Sequence, residues 1–145
     1  MARDDSDDAL TLASGVRDAL LDHAREGADR DPPAEICGVL AGERGPPDRV
    51  TATRRVPNVA AHPPTEYELD PAATMAAIDR VEDRGDDAVG FYHSHPESEA
   101  VPSATDRARA TWLGYVYCIV SPPDSIRAYR YVDDGFVELP VESAE

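Results

Sequence analysis

The chain of 145 residues contains no lysine. All 14 basic residues are therefore arginines, against 29 acidic residues, and the net charge at pH 7 is -15. A surface this acidic repels phosphates, so we expect no nucleic-acid partner. We favour solvation in concentrated salt as the reason for the acidic excess, since a Debye length of roughly 3 Å at 1 M screens self-repulsion. Attraction to a basic partner is the alternative.

Long hydrophobic runs and cysteines are scarce as well. No apolar run approaches the ~18 residues of a membrane span, and the start, MARDDSDDAL, is acidic where a signal peptide is basic. Cys37 and Cys118 are the only cysteines, and both lie in apolar runs that predict buried, reduced thiols. We therefore expect a soluble, cytoplasmic protein with no membrane partner.

The length and a hydrophobic content of 41% predict one domain with a substantial core. Residues 1–9 are predicted to form a disordered acidic tail and residues 10–145 the folded domain. Helices are predicted from an N-cap at Ser14 to about Gly27, with Leu12, Val16, Leu20 and Ala24 on its apolar stripe, from Asp70 to Gly85, and from Ser103 to about Thr111. Strands are predicted at 35–42, 49–56, 67–69, 88–92, 115–120, 126–132 and 136–139, the last two forming a hairpin. This order favours an α/β fold, a single mixed β-sheet flanked by helices.

Two histidines close a predicted strand in the segment GFYHSHPESEAVPSATDRARA, residues 90–110. Because residues two apart on a strand face the same side, His93 and His95 project together. Asp106 follows in the first turn of the next helix, and three such ligands plus water are typical of catalytic zinc. The alternatives are an ordinary histidine pair and a capping box formed by Ser103 and Asp106, although capping and metal binding are compatible.

Glu35 precedes the apolar run ICGVLAG. A carboxylate at the mouth of a buried strand costs several kcal/mol unless it is paired or used. Glu35 is therefore a candidate proton acceptor for a water on the metal. The alternative is an exposed glutamate at a strand end, and the residues alone do not place Glu35 beside the histidines.

Taken in order, these residues resemble the JAMM (MPN-plus) family of metalloproteases. The resemblance rests on Glu35-Ile36-Cys37-Gly38-Val39-Leu40, on His93-Ser94-His95-Pro96, and on Ser103 and Asp106. It extends from about Val16 to Val132 and is closest to compact archaeal members of the family, including halophilic desampylases.

The resemblance implies a fold related to the cytidine deaminases and one Zn²⁺ held by His93, His95 and Asp106. It implies Glu35 as general base and later proton donor, and Ser103 as the residue that positions the water and stabilises the oxyanion. The implied reaction is hydrolysis of the bond between the C-terminal glycine of a small ubiquitin-like modifier (SAMP) and a target lysine, so the partners are such modifiers and their conjugates. The alternatives are a protease that processes ubiquitin-like sulfur-carrier precursors and a non-catalytic scaffold.

Overall fold

A computed structural model describes residues 8–133 and 135–144. Residues 1–7 of the predicted tail lie outside the described residues. Its last two residues, however, belong to the folded domain. The Asp8 carboxylate accepts hydrogen bonds from the guanidinium of Arg130 at 2.8 and 3.0 Å, and Ala9 is buried. Asp8 and Ala9 thus contact the folded domain, while the prediction of a disordered tail concerns residues outside the described part of the chain.

The described residues form three helices and eight strands. The helices are α1 (Val16–Ala28), α2 (Pro71–Asp83) and α3 (Ala104–Arg109). The strands are β1 (Leu10–Leu12), β2 (Cys37–Glu43), β3 (Asp48–Val56), β4 (Asp87–Ser94), β5 (Val116–Ser121), β6 (Ser125–Val132), β7 (Gly135–Leu139) and β8 (Val141–Ser143). No helix in the described part of the chain is long and apolar enough to cross a membrane.

The strands form one mixed sheet in the order β7-β6-β5-β4-β2-β3-β1-β8. Strand β4, in the middle, pairs antiparallel with β2 and parallel with β5. Neighbouring residues of β2, Val39 and Leu40, belong to different core clusters, the first shared with α2 and the second with α1. Because successive strand residues face opposite sides, the two helices cover opposite faces. The predicted α/β fold with a single mixed sheet flanked by helices is confirmed.

Helix α2 and the β6–β7 hairpin follow the sequence rules that predicted them. The side chain of Asp70 caps α2 by accepting a hydrogen bond from the amide of Ala73 at 2.9 Å, and Pro71 takes the first helical position. Gly85, at φ 86°, follows the helix in the left-handed region that glycine favours. Strands β6 and β7 pair antiparallel as predicted, and Asp134 in their turn lies outside the described residues.

Three local predictions are wrong. Helix α1 begins after Gly15, which has a φ of 87° and no side-chain capping bond, and not after Ser14. Leu12, predicted on the stripe of that helix, is buried in β1, which pairs in parallel with β3 and β8. The strand predicted at 67–69 reduces to one bridge between Asn58 and Leu69. Strand β1 in particular depends on partners distant in sequence, which a local pattern does not reveal.

Candidate active site

His93 lies in β4 and His95 follows the last residue of that strand. Both side chains are buried, and the imidazole centroids lie 5.1 Å apart. Ser94 between them plays a different part, since its Oγ accepts a hydrogen bond from the amide of Ile36 at 2.9 Å. The period of two along the strand therefore places the two imidazoles together, as the sequence predicted.

Helix α3 delivers Asp106 in a fixed orientation. Ser103 caps the helix: its Oγ accepts from the amide of Asp106 at 3.0 Å, while Oδ2 of Asp106 accepts from the amide of Ser103 at 2.9 Å. The same Oδ2 lies 3.1 Å from Nε2 of both His93 and His95. The capping box and the candidate ligand thus share Asp106, because the capping bonds hold its carboxylate in the orientation that faces the imidazoles.

Strand pairing brings Glu35 to the same place from 58 residues earlier in the chain. Cys37 of β2 lies opposite His93 of β4, and the amide of Ser94 donates to the carbonyl of Ile36 at 3.0 Å. Ile36 and Ser94 are therefore the next opposed pair. The pair after that in the antiparallel register is Glu35 and His95. Glu35 is only 4% exposed, so the alternative of a solvent-exposed strand-end glutamate is wrong.

These four buried side chains form a cluster suited to a cation. One ligand atom from each of Glu35, His93, His95 and Asp106 lies within 4.8 Å of the other three. Nδ1 of His95 lies 2.7 Å from the carbonyl of Glu99, which accepts its proton, so in neutral His95 the lone pair of Nε2 faces the Asp106 carboxylate. Two facing acceptors require a proton or a metal ion between them. The donor set of two imidazoles and a carboxylate suits zinc.

Burial and charge shift the ionisation of the cluster. Burial raises the pKa of Glu35 to about 8, with His95 opposing the shift and the carboxylates of Asp106 and Glu66 adding to it. For Asp106, burial favours the neutral form, but hydrogen bonds from the two histidines outweigh it and hold the pKa well below its usual range. Glu35 is thus the basic carboxylate of the site and Asp106 the permanently charged one.

One oxygen of the cluster has no partner. Oε1 of Glu35 is buried without a hydrogen bond, and it is the only such side-chain atom among the described residues. An unpaired buried carboxylate oxygen is costly unless something binds to it. Glu35 also lines a cavity of about 250 Å³ together with His95 and Ser103. Ser103, the fifth predicted site residue, therefore borders the same space, where a water and a substrate carbonyl can meet the carboxylate.

Two further side chains, which no sequence motif indicates, touch the site. The ring of Tyr67 stacks on His93, with centroids 4.0 Å apart and planes 16° from parallel. The amide of Asn58 donates to the backbone carbonyl of Glu35 at 2.9 Å. Both lie in the segment between β3 and α2, where no periodic pattern distinguishes one residue from the next. The scarcity of asparagine in this chain is the one signal that points to Asn58.

The fold and the site define an α/β domain with a buried cluster of two imidazoles and two carboxylates that could hold a metal ion, which is an arrangement found in metal-dependent hydrolases. The family model described as prokaryotic homologs of the JAB domain, Prok-JAB, matches residues 14–132. The chain belongs to this family.

Similar proteins extend over nearly the whole chain. A desampylase from Haloferax volcanii is 58% identical over 132 residues, which cover 91% of this chain and 94% of the relative. A CysO-cysteine peptidase from Mycobacterium bovis is 38% identical over 141 residues, covering 94% and 92%. A solution structure of a protein from Desulfitobacterium hafniense superposes with a TM-score of 0.81 at 29% identity, covering 94% and 93%.

Proposed function

We propose that this protein is a zinc-dependent isopeptidase. It hydrolyses the bond between the C-terminal glycine of a small ubiquitin-like modifier and the side-chain amine of a target lysine. The observation that carries the proposal is the buried, unpartnered Oε1 of Glu35 beside two imidazoles and a carboxylate. The similarity to a desampylase over 94% of that protein's length supports the choice of substrate class.

His93, His95 and Asp106 would hold the zinc ion. When bound, the ion supplies Lewis acidity, which polarises the scissile carbonyl and makes water a nucleophile near neutral pH. Glu35 takes a proton from the attacking water and returns it to the departing lysine amine, which leaves neutral. Burial raises the pKa of Glu35 in the absence of the ion, which suits a carboxylate that first takes a proton and then returns it. General base catalysis of this kind is worth roughly 10²–10⁴-fold.

Ser103 has two roles in the proposed mechanism, one in capping the helix that carries Asp106 and one in donating a hydrogen bond to the reacting groups. Its Oγ accepts from the amide of Asp106, which orients the ligand helix. Its hydroxyl proton is not used in that bond, so it can be donated to the water or to the oxygen of the carbonyl as negative charge develops there. Both tasks need only a hydroxyl beside the cavity that Ser103 shares with Glu35 and His95.

A second activity with the same chemistry is the trimming of residues that follow the glycines of a sulfur-carrier precursor. The 38% identity to a CysO-cysteine peptidase favours keeping it as a candidate. The two activities differ in the leaving group, an α-amine in the precursor and a lysine side chain in the conjugate. Relative rates on a lysine conjugate and on a C-terminally extended precursor decide between them.

The test is cleavage of a small ubiquitin-like modifier whose C-terminal glycine is joined to the side chain of a reporter lysine, in high salt. We expect release of the reporter, its loss with a chelator, its return with added zinc, and about one zinc per chain. Glu35→Ala should retain zinc and lose cleavage. Cleavage that resists the chelator, or that survives Glu35→Ala, contradicts the mechanism, and a folded chain that binds no metal supports a non-catalytic scaffold instead.

We also assign the protein to the cytoplasm. Cys37 and Cys118 are both buried and unpaired, and burial raises the pKa of each thiol to about 12. Unpaired thiols suit a reducing compartment.

A further inference from the structure

Asn58 is the only asparagine among 145 residues, and the chain has no glutamine. The protein therefore has a single side-chain amide, in a sequence with 29 carboxylates. An amide both donates and accepts hydrogen bonds, whereas an ionised carboxylate only accepts. This raises the question of what position 58 requires that an acidic residue cannot supply.

The side chain of Asn58 uses its full bonding capacity for two donors and two acceptor sites. Nδ2 donates to the carbonyl of Glu35 at 2.9 Å and to that of Glu66 at 3.1 Å. Oδ1 accepts from the amides of Ala60 at 3.0 Å and Glu68 at 2.9 Å. Backbone carbonyls cannot donate and backbone amides cannot accept, so the four partners fix which end of the side-chain amide faces Glu35.

Aspartate at this position would reverse half of these bonds. Its oxygens could still accept from Ala60 and Glu68, but one oxygen would face the carbonyls of Glu35 and Glu66 with no proton between them. An unmet acceptor pair at these distances is destabilising in a half-buried site. The requirement for two donors explains why a chain rich in aspartate has an asparagine here.

Both backbone groups of Glu35 are held by the segment 57–69. Its amide donates to the carbonyl of Pro63 at 2.8 Å, and its carbonyl accepts from Asn58. Glu35 lies before β2 begins at Cys37, so neither group belongs to the regular ladder of that strand. The same segment also contacts α3 through an ion pair, in which Nη2 of Arg109 lies 3.5 Å from Oε2 of Glu66. The segment thus connects the backbone of Glu35 to the helix that carries Asp106.

We propose that Asn58 is a positioning residue for Glu35. It touches no metal ligand side chain in the described structure; it fixes the main chain from which the Glu35 carboxylate projects and so sets where Oε1 stands. The inference rests on the proposed function for its kinetic consequence only. A displacement near 1 Å of a reacting group can cost on the order of 10²-fold in rate, so a lost anchor is expected to reduce kcat rather than substrate binding.

The test compares Asn58→Asp with two other variants. Asn58→Asp keeps the shape and the two acceptor bonds but removes both donors. Val59→Asp adds the same charge one residue away, on a side chain that is 46% exposed and faces solvent. Asn58→Ser retains one hydrogen-bond donor, a hydroxyl on a shorter side chain. This variant tests the proposal if Asn58→Asp does not fold. Each variant is measured for zinc content, for kcat and KM on the lysine conjugate, and for hydrogen exchange at the amide of Glu35.

We expect Asn58→Asp to lower kcat by about 10–100-fold with KM within threefold of the parent and zinc near one per chain. Exchange at the Glu35 amide should accelerate at least tenfold. Asn58→Ser should lie between this variant and the parent, and Val59→Asp should match the parent. These results would support the inference.

Three results would overturn it. One is an unchanged kcat in Asn58→Asp or, if that variant does not fold, in Asn58→Ser. Another is loss of zinc in step with activity, which would make Asn58 a support of the metal ligands instead. The third is unchanged exchange at Glu35, which can be read even in a chain that cleaves nothing. Failure of the proposed function looks different, because the unsubstituted chain would then fail to cleave the conjugate while the exchange difference remained.

Discussion

Two groups of buried ionisable residues show opposite ways of placing charge inside this fold. In the first, Arg130 of β6 donates two hydrogen bonds to Asp8 and one, at 3.3 Å, to Asp48, while Nη1 also reaches the carbonyl of Gly114 at 2.8 Å. Asp48 accepts a further bond from the amide of Gly45 at 2.8 Å. Every charge in this group faces its opposite or a hydrogen-bond donor.

The second group, at the candidate active site, is incomplete. The carboxylate of Asp106 is shared by two imidazoles, and Oε1 of Glu35 has no partner at all. A charge cluster satisfied by its own members stabilises the fold, whereas one left with unmet acceptors is prepared to bind something from outside. The difference teaches that a structural ion network and a functional one are told apart by the polar atoms that remain without a partner, since burial is common to both.

The largest change in stability is expected from removing the arginine of the first group, in which every charge has a partner. Arg130→Met leaves Asp48, which is 1% exposed, as an uncompensated buried charge. Removing one partner of a buried pair typically costs about 3–5 kcal/mol, so the free energy of unfolding measured with urea should fall by that amount.

The kcat of the folded Arg130→Met fraction should stay within about twofold of the parent, because no contact among residues 8–133 and 135–144 links Arg130 to the site. Adding Asp48→Asn should restore part of the lost stability. A stable Arg130→Met protein with reduced kcat would show that the first group also serves catalysis.

A somewhat smaller change in stability is expected when zinc binds to the second group, at the candidate active site. Zinc at 100 times its Kd should raise the free energy of unfolding by about 2.7 kcal/mol, since a ligand that binds only the native state stabilises it by mass action. The measurement is urea unfolding with zinc and with a chelator at matched salt.

Arg130→Met should keep this zinc increment, because effects at distant sites add. His95→Ala should lose it. An equal response to zinc in the parent and in His95→Ala would place the metal elsewhere.

The smallest change is expected at the cap that orients Asp106. Ser103→Ala removes the acceptor for the amide of Asp106 and should lower the free energy of unfolding by about 1 kcal/mol, whereas Ser103→Gly should cost only a few tenths.

Both variants lack the hydroxyl, so cleavage should fall about equally in the two, on the order of 10²-fold for a lost oxyanion donor. If activity instead follows stability, with the glycine variant close to the parent, Ser103 acts through its cap alone.

The site separates into a part that was predictable and a part that was not. His93 and His95 were predictable because strand alternation is a local rule, and Asp106 because a capping box needs only four consecutive residues. Glu35 was recognisable as a candidate by its place at a buried run and by the family resemblance, but its position beside His95 depends on the register of β2 against β4. The stacking of Tyr67 and the four bonds of Asn58 had no pattern to reveal them.

The sequence by itself determined the features whose causes lie within a few residues: the cap of α2 at Asp70, the β6–β7 hairpin, the histidine pair and the capping box of Ser103. Only the tertiary structure decided which elements meet. It paired the short strands β1 and β8 with distant partners, moved Leu12 from a predicted helix into the sheet, and brought Glu35, Asn58 and His95 together. Dihedral preferences and side-chain caps act locally, whereas the hydrogen bonds that place a strand or a loop depend on partners that folding supplies from far along the chain.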